Sequence, residues 1–210
     1  MAGQFTIPGN PPLRLDRQLS FTAEIDQMTA IARRTLLLDK SRRENDAEHS
    51  WHIGVMAMLF QEYAKEPVNV GRAVQMCLVH DLVEIYAGDT FAYDQTGNLS
   101  KADREQEAAG RLFSLLPAEQ GQIIRDFWEE FDAMETPDSQ YAACLDRIQP
   151  LLHNMLTDGH TWHENGPEHM VTRSMVEKRN AIVKAFMPEV YQWISRCLDE
   201  AVARGWLKDE

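Results

Sequence analysis

Residues 70–89 read VGRAVQMCLVHDLVEIYAGD. Their apolar residues recur at helical spacing, which predicts a buried helix over about 70–86, closed by Gly88. In its middle stand His80 and Asp81, two groups that dry surroundings disfavour. A buried carboxylate is costly unless an opposite charge compensates it. Two similar anomalies lie elsewhere. His49 starts the apolar run AEHSWHIGVMAMLF (47–60), and Asp146 interrupts YAACLDRIQPLLHNM (141–155). Three apolar helices, each with residues of metal-ligand type near the middle or start, imply one shared cation and a metal-dependent enzyme.

Working outward, the spacing predicts helices at about 20–38, 46–65, 70–86, 101–116, 118–134, 137–157, 168–186 and 188–205. Sustained alternation of β-branched residues is missing, so no strand is expected. Pro67, Pro117, Pro137 and Pro188 punctuate the pattern at helix starts and separations. Pro150 falls inside a helical stretch, where it cannot donate to the carbonyl of Asp146. The PGNPP cluster marks residues 1–18 as an arm, with one all-α domain over 19–210.

The chain of 210 residues is long enough for one domain with a sizeable core. Its net charge of −12, with no basic tract, argues against duplex nucleic acid or an anionic membrane as main partner. A phosphorylated small molecule stays open, because a bound cation and a few arginines can reverse the field locally. Cys77, Cys144 and Cys197 lie far apart in apolar contexts and read as buried thiols of a reducing compartment. The start of the chain lacks a basic leader with a long apolar core, and no apolar run approaches the roughly 20 residues of a membrane span. A cytoplasmic protein is expected.

On a helix, His80 and Glu84 share a face, and Asp81 lies close to it. HDLVE can therefore present an imidazole and two carboxylates to one region while Leu82 and Val83 turn to the core. Two histidines with two aspartates suit manganese, iron, cobalt, nickel or zinc better than calcium.

The order H…HD…D on three helices resembles the HD-domain phosphohydrolase superfamily. RRENDAEHS (42–50), HDLVEIYAGD (80–89) and CLDRIQPLLHN (144–154) resemble its 5′-deoxynucleotidase group more closely. The resemblance implies a single all-α HD-domain bundle with a buried metal site. It implies one divalent ion (Mn, Co, Fe, Ni, Zn or Mg) held by His49, His80, Asp81 and Asp146. It further implies that Glu84 and Asp89 position and activate water, and that Arg34, fifteen residues before His49, contacts substrate phosphate. The implied activity is removal of phosphate from nucleoside 5′-monophosphates, deoxynucleotides above all. The chemistry agrees: a divalent ion neutralises phosphoryl oxygens, and in-line attack needs a base for water and an acid for the leaving alkoxide. The alternatives are another HD phosphohydrolase, acting on a nucleotide di- or triphosphate or guanosine tetraphosphate, and a metal-binding sensor with a vestigial site. Relatives often dimerise, and the apolar C-terminal stretch VYQWISRCL (190–198) would serve a homodimer.

Other polar residues read as structural. His52 and the loop histidines His160, His163 and His169 are not expected to bind metal, while His153 could line the cleft. Asn45 and Glu48 flank the first ligand, either as helix N-terminal groups or in support of the site. Trp128 and Phe131 of WEEFDAME are expected in a core or interface.

Overall fold

The computed structural model describes residues 13–210; residues 1–12 of the expected arm lie outside them, while its residues 14–18 begin the first helix, where Arg17 donates to the Leu115 carbonyl at 3.1 Å. Helix α1 (Arg14–Ile25) leads through a 3-10 turn into a hairpin of β1 (Ala32–Leu36) and β2 (Arg43–Asn45). Then come α2 (Asp46–Leu59), α3 (Val70–Val79), α4 (Glu84–Ala87), α5 (Gln95–Asn98) and α6 (Lys101–Phe113). The chain continues through α7 (Ala118–Ala133), α8 (Pro137–Leu156), α9 (His160–His163), α10 (Arg173–Arg179), α11 (Ala181–Phe186) and α12 (Pro188–Ala203). The all-α expectation holds, with one small antiparallel ribbon added.

Three local expectations are corrected. The helix predicted over 20–38 ends at Ile25, and residues 32–36 form a strand. Leu37 donates its N–H to the Arg42 carbonyl at 3.0 Å, closing a tight turn that includes Lys40 at φ 60°. The turn delivers RREN as partner, in the register Ala32 to Asn45 and Leu36 to Arg43. Apolar residues of 31–38 fit helical spacing, but strand pairing satisfies their backbone groups and frees two adjacent arginines to point apart.

The helix predicted over 70–86 breaks after Val79, and residues 80–83 form a hydrogen-bonded turn before α4. Within it Leu82 donates to Val79 at 3.2 Å and Glu84 to Asp81 at 2.9 Å, three-residue spacings that tighten the backbone. The helix predicted over 168–186 is split into a 3-10 turn, α10 and α11, with Asn180 at the join. Asn180 donates from its side chain to the Val176 carbonyl at 2.9 Å, capping the end of α10.

Two hydrophobic clusters meet around α3. One contains Ile53, Met76, Tyr141, Leu145, Val183 and Ile194 from α2, α3, α8, α11 and α12. The other contains Phe21, Val79, Leu82, Val83, Leu112 and Trp128 from the N-terminal half and α7. Met76 and Cys77 belong to the first, Val79 and Leu82 to the second, so His80-Asp81 stand at the seam. The buried Tyr141 hydroxyl donates to the Ala57 carbonyl at 2.9 Å and ties α8 to α2. The apolar face of α12 is committed to the chain's own core: Val190, Ile194, Cys197 and Leu198 are buried there. All three cysteines are buried free thiols. Among the described residues, no helix is long and apolar enough to cross a membrane.

Candidate metal centre and its cleft

The centre begins at the N-terminus of α2. Asn45 caps the helix: its Oδ1 accepts from the Glu48 N–H at 2.9 Å, and the Glu48 carboxylate accepts from the Asn45 N–H at 3.0 Å. These two residues thus serve the helix end, one residue from the fully buried His49. The His49 ring nitrogen Nδ1 lies 3.0 Å from Gln149 Oε1. The Gln149 amide is oriented by its other end, where Nε2 donates to Glu44 Oε1 at 2.6 Å. With the amide oxygen toward His49, Nδ1 carries the proton and the lone pair of Nε2 is free to bind an ion.

His80 reaches the same tautomer by another route. Its Nδ1 donates to the Cys77 carbonyl at 2.9 Å, and its ring packs against Phe131 with centroids 4.5 Å apart. His80 Nε2 lies 3.0 Å from Asp81 Oδ2 and 3.7 Å from Asp146 Oδ1. It is nevertheless buried without a partner in hydrogen-bonding geometry among the described residues. His49 Nε2 lies 3.1 Å from Asp146 Oδ1 and 3.9 Å from Asp81 Oδ2. Donors about 2.1 Å from one ion are separated by roughly 3.0 Å at right angles and 3.4 Å tetrahedrally. The shorter nitrogen–oxygen distances fall near these spacings; His49, His80 and Asp81 form one group whose donor chemistry fits a divalent cation, and Asp146 Oδ1 lies beside both histidines.

The electrostatics agree with that fit. Burial alone would raise both aspartates. His80 and Arg33 instead hold Asp81 well below the usual carboxylate range, and the His49 bond with the nearby His80 and Arg179 does the same for Asp146. Burial would likewise strip the charge from His80, but Asp81 and Asp146 push it up to about 10. The pocket draws positive charge onto a buried imidazole.

Beside the donors lies a second group of acids. Arg33 Nη1 donates to Asp81 Oδ2 at 2.7 Å and to Asp46 Oδ1 at 3.1 Å. Burial raises Asp46 to about 7, reinforced by Asp81 and opposed by Arg33. Burial also raises Glu84 well above its usual range, with Asp81 and Asp46 adding repulsion, and its Oε2 has no partner among the described residues. Asp89 is raised by burial as well, against the pull of Arg33. Three carboxyl groups that burial makes harder to ionise, Asp46, Glu84 and Asp89, therefore stand close to these donors.

The structure brings His49, His80, Asp81 and Asp146 together. It lines one cleft with Asp81, Glu84, Asp89, Asp146 and Arg34. Arg33 and Arg34 sit on strand β1 rather than on the helix expected over 20–38, and their contacts diverge. Arg33 enters the acid cluster, whereas Arg34 pairs with Glu164 at 2.7 Å and lies over the Phe91 ring at 5.0 Å. Sequence reading missed Arg33 as a charge partner of the acids, together with Asp46, Gln149, Arg147 and Arg179. Asp46 and Gln149 each lie three residues from a predicted ligand and Arg147 directly follows one, which was the available signal. Arg179 carried none.

Glu44, His52 and His153 form another group of metal-ligand type. The Gln149 amide nitrogen lies among them, at 2.6, 3.3 and 3.0 Å respectively. Its two hydrogens serve the nearer two, Glu44 and His153, and His153 also bonds the Leu36 carbonyl at 2.9 Å, so this group braces the hairpin against α8. His160 meets Glu164 and His163 meets the Asp158 carbonyl, as the structural reading expects.

A family model described as HD domain matches residues 25–191. The chain belongs to the HD-domain family. Its fold matches the crystal structure of a predicted metal-dependent phosphohydrolase from Magnetospirillum magnetotacticum, with TM-score 0.86 and 49% identity, over 93% of this chain and 96% of that one. An HD-domain phosphohydrolase from Listeria innocua shares the fold at TM-score 0.57 and 18% identity, over 89% of this chain and 86% of that one. Human 5′-deoxynucleotidase HDDC2 is 29% identical over 111 residues, 53% of this chain and 53% of that protein. The chain thus spans about half the length of this curated relative.

Proposed function

We propose that this HD-domain chain is a divalent-metal-dependent phosphohydrolase that removes phosphate from nucleoside 5′-monophosphates, with deoxynucleotides as preferred substrates. The observation that carries the reading is that two buried imidazole nitrogens, of His49 and His80, each stand 3.0–3.9 Å from both Asp81 and Asp146, whose carboxylates line the cleft. The names of the relatives support the substrate class. One ion per chain (Mn, Co, Fe, Ni, Zn or Mg) would be held by His49, His80, Asp81 and Asp146. When bound, it would neutralise phosphoryl oxygens and lower the pKa of a bound water toward ~7.

The chain's own residues do the rest. Arg33 holds Asp81 in place and offsets the charge of the acid cluster. Glu84, whose Oε2 is unpartnered, and Asp89 exchange protons with water and the leaving alkoxide. Arg34 holds phosphate from the β1 wall, exchanging Glu164 for it. Phe91, Tyr93 and Trp162 line the same cleft and supply an apolar wall for sugar and base.

The domain reading is one HD domain over 19–210 with an arm before it. A cytoplasmic location is supported by three free thiols, which a reducing compartment preserves. A homodimer is supported by the outer face of α2, where Trp51, Val55, Met58 and Leu59 are exposed, rather than by α12. The acidic net charge speaks against duplex nucleic acid.

The test is a nucleotide panel across several metals, with the released inorganic product identified. Orthophosphate from deoxynucleoside monophosphates is expected. Glu84→Ala should retain metal and lose about 10²–10⁴ in turnover. Tripolyphosphate or pyrophosphate as the product would replace this reading with that of another phosphohydrolase.

A further inference from the structure

The wall formed by α8 and α10 carries three positive side chains, and among the described residues Asp146 is the one acid paired with its two arginines. Arg147, Lys178 and Arg179 line a recess of about 420 Å³ with Ala92, Tyr93, Asn98 and Met175, and no acid lines it. In a chain of net charge −12 this is a marked local reversal. The recess opens into the metal-centre cleft, since Arg147, Arg179 and Asn98 line both.

The arginines of the cleft differ in how they are engaged. Arg33 is bonded to two carboxylates and Arg34 to Glu164. Arg179 makes no side-chain hydrogen bond among the described residues; its Nη2 stands 3.6 Å from Asp146 Oδ2. Arg147 Nη1 donates to the Ala143 carbonyl at 2.7 Å and also stands 3.6 Å from Asp146 Oδ2, while its Nε is buried without a partner. Two guanidiniums therefore share one carboxylate oxygen. The other oxygen, Oδ1, faces His49 and His80 at 3.1 and 3.7 Å. Once the charge of Asp146 is engaged by a cation, neither guanidinium has a counter-ion. Like charges left unpaired in a partly buried site call for an anion.

We propose that Arg179, backed by Arg147, binds the phosphoryl group of the substrate from the α8/α10 side of the cleft that Arg34 also lines. The inference rests on the phosphohydrolase reading above. A guanidinium fork matches two oxygens of a tetrahedral dianion. Asp146 places that fork next to the metal donors, so one phosphate can meet the ion with one oxygen and Arg179 with others. The ligand class is a phosphomonoester before the reaction and inorganic phosphate after it.

The probe is inorganic phosphate, titrated calorimetrically into metal-loaded protein, with metal content measured on the same samples. Arg179→Ala should keep its metal and melting temperature, and bind phosphate about 10- to 100-fold more weakly. It should also raise KM for a deoxynucleoside monophosphate. Arg179→Lys should recover part of the affinity. Arg173→Ala, on the same helix but paired with Glu177 and Asp199, should bind phosphate like the wild type. Unchanged phosphate affinity in Arg179→Ala overturns the proposal. Loss of metal, with normal phosphate affinity in the metal-loaded remainder, also overturns it, because Arg179 would then only steady Asp146. If the wild type releases phosphate from no nucleotide while phosphate binding still depends on Arg179, the reaction reading fails and the anion site stands.

Discussion

Gln149→Leu isolates the part of the centre that orients His49. The amide touches three buried groups: His49 Nδ1 at 3.0 Å, Glu44 Oε1 at 2.6 Å and His153 Nε2 at 3.0 Å. Leucine fills similar volume and satisfies none of them. A buried polar atom stripped of its partner costs about 1–3 kcal/mol. Glu44 keeps the Thr35 hydroxyl at 2.9 Å and His153 keeps the Leu36 carbonyl, so the three losses are partly cushioned. The expected loss in the metal-free protein is about 3–5 kcal/mol. That is a large share of the roughly 5–15 kcal/mol of a typical domain. Metal affinity should fall about 10- to 100-fold, because the imidazole loses the acceptor that sets its tautomer and angle. Urea denaturation of metal-free protein measures the first effect, and competition with a chromophoric chelator the second. Unchanged stability together with unchanged metal affinity would refute the network. Lower stability with wild-type metal affinity would refute its orienting role alone. Gln149→Glu adds a sign test. The new carboxyl would face Glu44 in a dry interior, which raises the pKa of the pair above its unfolded value. Stability is then greatest where the pair is protonated and is lost as pH rises, so the deficit should be larger at pH 8 than at pH 5.

Asp81→Ala should abolish most metal binding in elemental analysis; metal content equal to the wild type would remove the assigned centre. Arg33→Ala removes the cation that Asp46 and Asp81 share, leaving Asp81 to the histidines alone, and should destabilise the metal-free chain by about 3 kcal/mol. Added metal should raise the melting temperature of this variant more than that of the wild type, and an equal rise would contradict the charge argument. Burial opposes the charge of Glu130, but bonds from Arg72 and the Thr136 hydroxyl hold its carboxyl below the usual range. A depressed carboxyl stabilises above its unfolded pKa of about 4.3 and less as pH falls through the folded value. Glu130→Gln should therefore cost about 1 kcal/mol at pH 7, because Arg72 is well exposed, and the deficit should shrink in melts near pH 3.5.

The centre was legible where one residue type contradicts its own neighbourhood. His49, His80, Asp81 and Asp146 stand in apolar segments, and the simplest reason for ionisable groups there is a shared ion. Helix positions followed where the apolar period is long and punctuated, as in α7, α8 and α12, whereas the helix expected over 46–65 ends at Leu59. Reading failed where a short segment satisfies two periods at once. Residues 31–36 fit a helix until RREN arrives across a six-residue turn, and a strand pair exists only when both halves are present. HDLV was placed within a helix, but the His80 Nδ1 bond to Cys77 and the three-residue backbone spacings tighten the chain there.

By itself the amino-acid order determined the helical class and pointed to the four candidate donors, because burial and ionisation pull against each other within a single segment. Only the tertiary structure decided which arginine meets which acid. Arg33 and Arg34 are adjacent in sequence and diverge in their contacts, Gln149 reaches across to Glu44, and Arg179 comes from a helix carrying no local sign of the centre. Charge pairing depends on distance in space, and residues over 100 positions apart come within 3 Å only after the core has closed.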